Sequence, residues 1–141
     1  MAERPDVNLD SFEGLWRLER RIDDARSGHV LRLEGTATFS RAGEGLILEE
    51  KGTLIRPGSP PMTATRRYLW QADGAQIAVL FDDGRPFHRF HPSDAPKATH
   101  WCAPDDYRVH YDFTAWPTWS SLWRVDGPRK NYVMQSWYHP A

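Results

Sequence analysis

What this chain lacks narrows its class quickly. It has a single cysteine, Cys102, in 141 residues, so no intramolecular disulfide can staple it, and a lone thiol fits a reducing compartment. No apolar run approaches the ~20 residues that a membrane-spanning helix needs. The opening residues, MAERPD, are followed by no apolar stretch of the kind a secretory leader carries. An excess of one charge is missing too: 18 basic and 19 acidic residues are interspersed, for a formal net charge of −1. A sequence-independent nucleic-acid surface would need a basic excess. These absences point to a soluble, cytoplasmic domain with neither nucleic acid nor membrane as its partner.

Helical periodicity is also missing, and what replaces it is a regular alternation of strand-like segments and breaks. Loops built from Gly, Pro, Asp and Ser fall at 23–28, 41–45, 56–61, 72–75, 82–84, 92–96, 104–106, 116–117 and 126–130. They separate ten expected strands at about 12–21, 29–40, 45–55, 62–71, 76–81, 85–91, 98–102, 107–114, 119–126 and 130–139. Ten short antiparallel strands in one chain imply an all-β, up-and-down barrel, which removes its own edges and can hold a small molecule. With no repeat, low-complexity tract or linker, residues 1–141 form one domain, and residues 1–11 are expected to cap one end as a loop or single turn. The seven Trp, five Tyr and six Phe suit strands and supply bulk for a small core.

Facing follows from the alternation of side chains along a strand. In the first strand Trp16 and Leu18 share a face, so both turn inward and bring Arg20 with them. The opposite register would bury Arg17, Glu19 and Arg21 instead. A buried guanidinium needs a partner. For Arg20 that partner is either a strand carboxylate, Glu34 or Glu50, or the anionic group of a ligand. Tyr107, Tyr111 and Phe113 share one face of the eighth strand, and Tyr132, Met134, Ser136 and Tyr138 share one face of the tenth. Strand 6 presents either His88 with Phe90 or Phe87 with Arg89. Strand 3 alternates without deciding its face.

Gly14-Leu15-Trp16 resembles the Gly-x-Trp element of lipocalins and their calycin relatives, in which the Trp closes a barrel end beneath a late Arg. Arg124 is the residue placed for that cation–π role. The runs 16–24 (WRLERRIDD), 81–88 (FDDGRPFH), 100–107 (HWCAPDDY) and 123–132 (WRVDGPRKNY) are similar to an uncharacterised family of unknown function. That resemblance covers nearly the whole chain and implies a lipocalin-like (calycin) barrel, with no substrate or cofactor attached to it.

Other constellations are better explained by local structure. Asp82-Asp83-Gly84 is expected as a hairpin turn with positive φ at both central positions. Gly127-Pro128-Arg129-Lys130 is a turn with two cations and lacks the spacing of a phosphate-binding loop. His100 and Cys102 share a face, and His88 lies within reach of them, but a metal site needs further ligands that the sequence does not offer. The reading that results is a barrel binding a small, partly apolar or aromatic anionic molecule. Its expected ligand-binding residues are Arg20, His88, His100, Tyr107, Tyr111, Arg124, Tyr132 and Tyr138. Two alternatives use the same cavity. One is a decarboxylase-, isomerase- or cyclase-type enzyme, in which Arg20 orients the substrate, His88 or His100 moves a proton and Tyr111 stabilises charge. The other is a haem-binding barrel ligating iron through His139. A monomer and a homodimer fit these features equally well.

Overall fold

The computed structural model describes residues 7–141, so the first six residues of the expected N-terminal cap lie outside the described residues. Among the described residues a 3-10 turn, Leu9–Phe12, is followed by ten strands: β1 (Gly14–Asp24), β2 (His29–Ala42), β3 (Gly45–Ile55), β4 (Met62–Asp73), β5 (Gln76–Phe81), β6 (Pro86–Phe90), β7 (Lys97–Cys102), β8 (Asp105–Asp112), β9 (Trp119–Asp126) and β10 (Asn131–Pro140). All pair antiparallel in one sheet, in the order β6-β5-β4-β3-β2-β1-β10-β9-β8-β7. The sheet curls until β6 and β7 face each other, giving a nearly closed barrel. Among the described residues no backbone ladder joins these two strands. Side chains close the seam instead, with the His100 ring 5.5 Å from Phe87 and 6.0 Å from Phe81.

Strand 1 keeps the expected register. Trp16, Leu18 and Arg20 are buried, Arg17 and Glu19 are exposed, and Arg21 is half-exposed. The facing of β3 is settled by Leu46, Leu48 and Glu50, all buried. On β8 and β10 the expected parities hold, so Tyr111 and Tyr138 turn inward. Strand β6 takes the first of its two expected facings, His88 with Phe90 inward and Arg89 exposed, but Phe87 is buried as well. Val79 pairs with His88 and Leu80 with Pro86, so Phe87 is the extra residue of a bulge, and Phe87, His88 and Phe90 are all buried. A bulge shifts the alternation by one residue, which periodicity alone cannot show.

The turn between β5 and β6 also differs from expectation. Among the described residues only glycines have positive φ. Gly84, at φ +88, closes the turn by donating its N–H to Phe81 O at 2.8 Å, so Asp83 is spared the left-handed region. Gly35 is required for a different reason. A Cβ there would meet the Lys51 carbonyl oxygen at 2.0 Å, so β2 and β3 approach too closely for any side chain.

One end of the barrel is sealed by the 3-10 turn. Asn8 caps it by accepting from the Ser11 N–H at 3.2 Å, while Ser11 Oγ accepts from the Asn8 N–H at 3.0 Å. Arg41 at the end of β2 clasps the turn through Asp10 (2.7 Å) and Glu13 (3.2 Å). Phe12 then drops into the barrel, fully buried, with the rings of Trp70, Trp116, Trp119, Phe113 and Phe39 within 5.7 Å of its centroid. Trp16 is locked by donating its indole N–H to Phe12 O at 2.9 Å. Phe12→Ala should lower unfolding free energy by about 3–5 kcal/mol in urea titration, because a cavity between five rings cannot collapse. An unchanged midpoint would show that Phe12 does not hold this end shut.

Candidate functional site

Two polar groups lie inside the barrel. The first centres on Arg20, 5% exposed, and Glu50, 4% exposed. Arg20 donates from Nη2 to Glu50 Oε1 at 2.8 Å and from Nε to Ser136 Oγ at 2.7 Å, and reaches Tyr138 OH at 3.3 Å. Tyr138 donates a short hydrogen bond to the other carboxylate oxygen, Glu50 Oε2. Burial works against the Arg20 charge, but Glu50 and Tyr138 beside it more than compensate, so its pKa stays above the ordinary value. Burial, then the charge of Glu50, pushes the Tyr138 phenol well up, so it remains a donor. Of the two partners expected for Arg20, the structure supplies the internal carboxylate, and it is Glu50 rather than the exposed Glu34.

The second group pairs His88 with Tyr111, Nε2 to OH, at 2.7 Å. Burial, then the neighbouring His100, pulls the His88 pKa down to about 3, so the ring is neutral at pH 7. Burial raises the Tyr111 phenol. Both groups border an internal cavity of about 20 Å³, room for one water. Aromatic side chains fill the rest of the interior. Trp119, for example, stacks on Tyr138 with centroids 3.8 Å apart and planes 6° apart.

A more open space lies at the end of the barrel opposite the 3-10 turn. There a mouth of about 400 Å³ is bordered by Ile22, Leu31 and Tyr132, by the cations Arg26, Arg66, Arg129 and Lys130, and by one carboxylate, Asp24. Asp24 is already engaged: Ser27 Oγ donates to it at 2.9 Å and the Arg26 N–H at 3.1 Å. Those bonds, the Ser27 hydroxyl first, hold its pKa below the usual carboxylate range. Lys130 is tied to Asp105 at 3.2 Å and donates to Tyr107 OH at 3.2 Å. Arg66 differs from these. It is half-buried, and its guanidinium carbon lies 5.6 Å from the Trp123 ring centroid. Its Nη1 donates to a neutral group, Tyr68 OH, at 3.3 Å. It stands directly across the ladder from Glu50, but that carboxylate is taken by Arg20 and Tyr138. Among the described residues Arg66 has no carboxylate within salt-bridge distance.

The sequence-predicted residues therefore separate. Arg20 and Tyr138 share one buried network, and His88 and Tyr111 the other. Tyr132 and Tyr107 lie at or beside the mouth. His100 is half-buried in the aromatic seam, with no part in either network. Arg124 is corrected: Trp119, Ser121, Trp123 and Val125 of β9 face inward, which turns Arg124 to solvent, and the Trp16 ring packs on Trp116 and Trp119. His139 is on the outer face, 3.9 Å from Glu19, and with so small an interior the residues present do not fit haem. Among the described residues no three His, Cys, Asp or Glu side chains cluster as metal ligands. Arg66 escaped the sequence reading, although Tyr68 and Trp70 share its parity on β4 and would have placed it inward.

Comparison with known proteins agrees with this architecture. A model described as a family of unknown function, DUF6314, matches residues 12–140. No curated protein matches the chain. Among solved structures, the S-type phycobiliprotein lyase CPES from Guillardia theta is similar, with a TM-score of 0.60 and 8% identity over 92% of this chain and 87% of that one. At that identity the likeness shows the lipocalin-like fold alone.

Two outcomes follow for the buried groups. Arg20→Met keeps most of the stem volume but strands Glu50, and should lower stability by about 3–5 kcal/mol in urea titration. An unchanged midpoint would show that Glu50 does not depend on Arg20. For His88 the pKa falls from an ordinary 6.5 to about 3 in the fold. Between these values the unfolded chain binds a proton that the folded chain refuses, so stability falls as pH drops below about 6.5, by up to ~1.4 kcal/mol per unit. Calorimetry from pH 7 to 5 should show a shallower fall for His88→Gln than for the wild type. Parallel slopes would mean that His88 is protonated in the fold.

Proposed function

We propose, for this chain, which belongs to the DUF6314 family of unknown function, that the open end of the barrel binds a small anionic molecule with an apolar or aromatic part. The observation that carries the reading is Arg66, a half-buried guanidinium at the mouth without a carboxylate partner among the described residues. A desolvated cation is costly unless something negative meets it. Arg26 and Arg129 on the rim add to the positive field, which draws anions to a concave site. Ile22, Leu31 and Tyr132 give the apolar body of such a molecule a surface to cover. Arg66 would hold the anionic group, in place of the internally neutralised Arg20, and Tyr132 would contact the ring or chain behind it. His88, Tyr111 and Tyr138 support the barrel beneath the site rather than touch the ligand.

A simple aromatic anion tests this. Titration with 8-anilinonaphthalene-1-sulfonate should give saturable binding, weakened by raised salt. Arg66→Met should weaken it about 10- to 100-fold, the effect of losing one charge-assisted hydrogen bond, with little loss of stability. Arg124→Met, on the outer wall, should leave it unchanged. Binding that survives Arg66→Met would refute the assignment.

A further inference from the structure

Three buried side-chain nitrogens have no hydrogen-bond partner among the described residues: Nε1 of Trp70, Nε1 of Trp119 and Nδ1 of His88. All three residues border the same internal cavity of about 20 Å³. Their rings are close neighbours, with Trp70 and Trp119 centroids 6.2 Å apart and Tyr111, the partner of His88, 6.3 Å from Trp70 and 6.4 Å from Trp119. Buried polar groups in native folds are almost always satisfied, by protein or by ordered water. Three residues that each carry an unsatisfied buried nitrogen border one space of this size, and its volume limits an occupant to one heavy atom.

We propose that this cavity is the site of one resident water molecule, which accepts from the indole N–H groups of Trp70 and Trp119 and donates to Nδ1 of His88. The donor count selects this arrangement. Two indoles are donors only, and together they use both lone pairs of a water. A third donor could not be accommodated, so Nδ1 must be the acceptor and the ring proton must lie on Nε2. That proton is then the one donated to Tyr111 OH across 2.7 Å. The remaining hydrogen of the water finds Ser121 Oγ and the Glu50 carboxylate bordering the same cavity. A neutral His88, expected from its burial, carries one ring proton and is compatible with this count. A halide could accept from three donors, but the nearby Glu50 carboxylate opposes it. The water would link the His88–Tyr111 pair to the Arg20–Glu50–Tyr138 network, making one polar core across the barrel. The site is separate from the mouth, and its test does not involve the mouth ligand.

The test uses the wild-type protein. Imidazole nitrogen NMR at pH 7, with His88 assigned by through-bond correlation and checked by signal loss in His88→Gln, reads the tautomer directly. A high-resolution crystal structure from bromide-containing buffer reads the occupant. The expected result is a protonated Nε2, an unprotonated hydrogen-bonded Nδ1, and one solvent oxygen peak within hydrogen-bond distance of both indole nitrogens. A proton on Nδ1, an anomalous bromide peak in the cavity, or a cavity without density would overturn the proposal.

Discussion

A guanidinium at the centre of a barrel constrains everything around it. Trp16 and Leu18 must face inward, and strand alternation then carries Arg20 into the core whether or not its charge is welcome there. The charge is met from both sides, by Glu50 on β3 and by Ser136 and Tyr138 on β10. The ion pair thus joins three strands that are not all neighbours in the sheet. Tyr138, held by Glu50, offers its ring face to Trp119, and Trp119 in turn meets Phe12 beneath the 3-10 turn. The sealed end and the polar centre are parts of one packed structure. Such a pair is no large source of net stability, but removal of one member leaves the other charged and dry.

This neutralisation has a functional consequence. Arg20 is fully engaged by protein groups, so it is not available to hold a ligand's anion, and the surrounding rings leave only the space of a single water. Arg66 sits directly across the ladder from Glu50 and is left over by the same chemistry. One carboxylate serves two inward-facing arginines, and the deeper one takes it. The unsatisfied charge is thereby moved to the open end, where a ligand can reach it from solvent. The barrel is organised with an aromatic plug at one end, a neutral polar core in the middle and a basic mouth at the other.

Much of this was legible in the sequence where simple alternation governs. The ten strands, the inward Arg20, and the faces of Tyr111 and Tyr138 all follow from period-two patterning between recognisable turns. The same rule applied to β9 would have turned Arg124 outward, and applied to β4 it would have turned Arg66 inward with Tyr68 and Trp70. What alternation could not give is of a different kind. The β6 bulge inserts Phe87 beside Pro86, and a proline there signals a break without telling which side chains turn inward after it. The partner of Arg20 depends on how β3 lies across β2, where Gly35 permits an approach that composition does not reveal. The filled interior depends on how Phe12, from outside the strands, fits among rings contributed by distant segments.

The account turns on where a ligand sits, at the basic mouth or among the interior rings. Tryptophan indole N–H resonances followed during titration with 8-anilinonaphthalene-1-sulfonate locate it, because Trp123 lies against Arg66 while Trp16, Trp70 and Trp119 lie in the plugged half. The account predicts that the Trp123 signal moves with saturation while those of Trp16, Trp70 and Trp119 stay in place. Concerted movement of Trp70 and Trp119, with Trp123 unaffected, would contradict it and place the ligand inside the barrel.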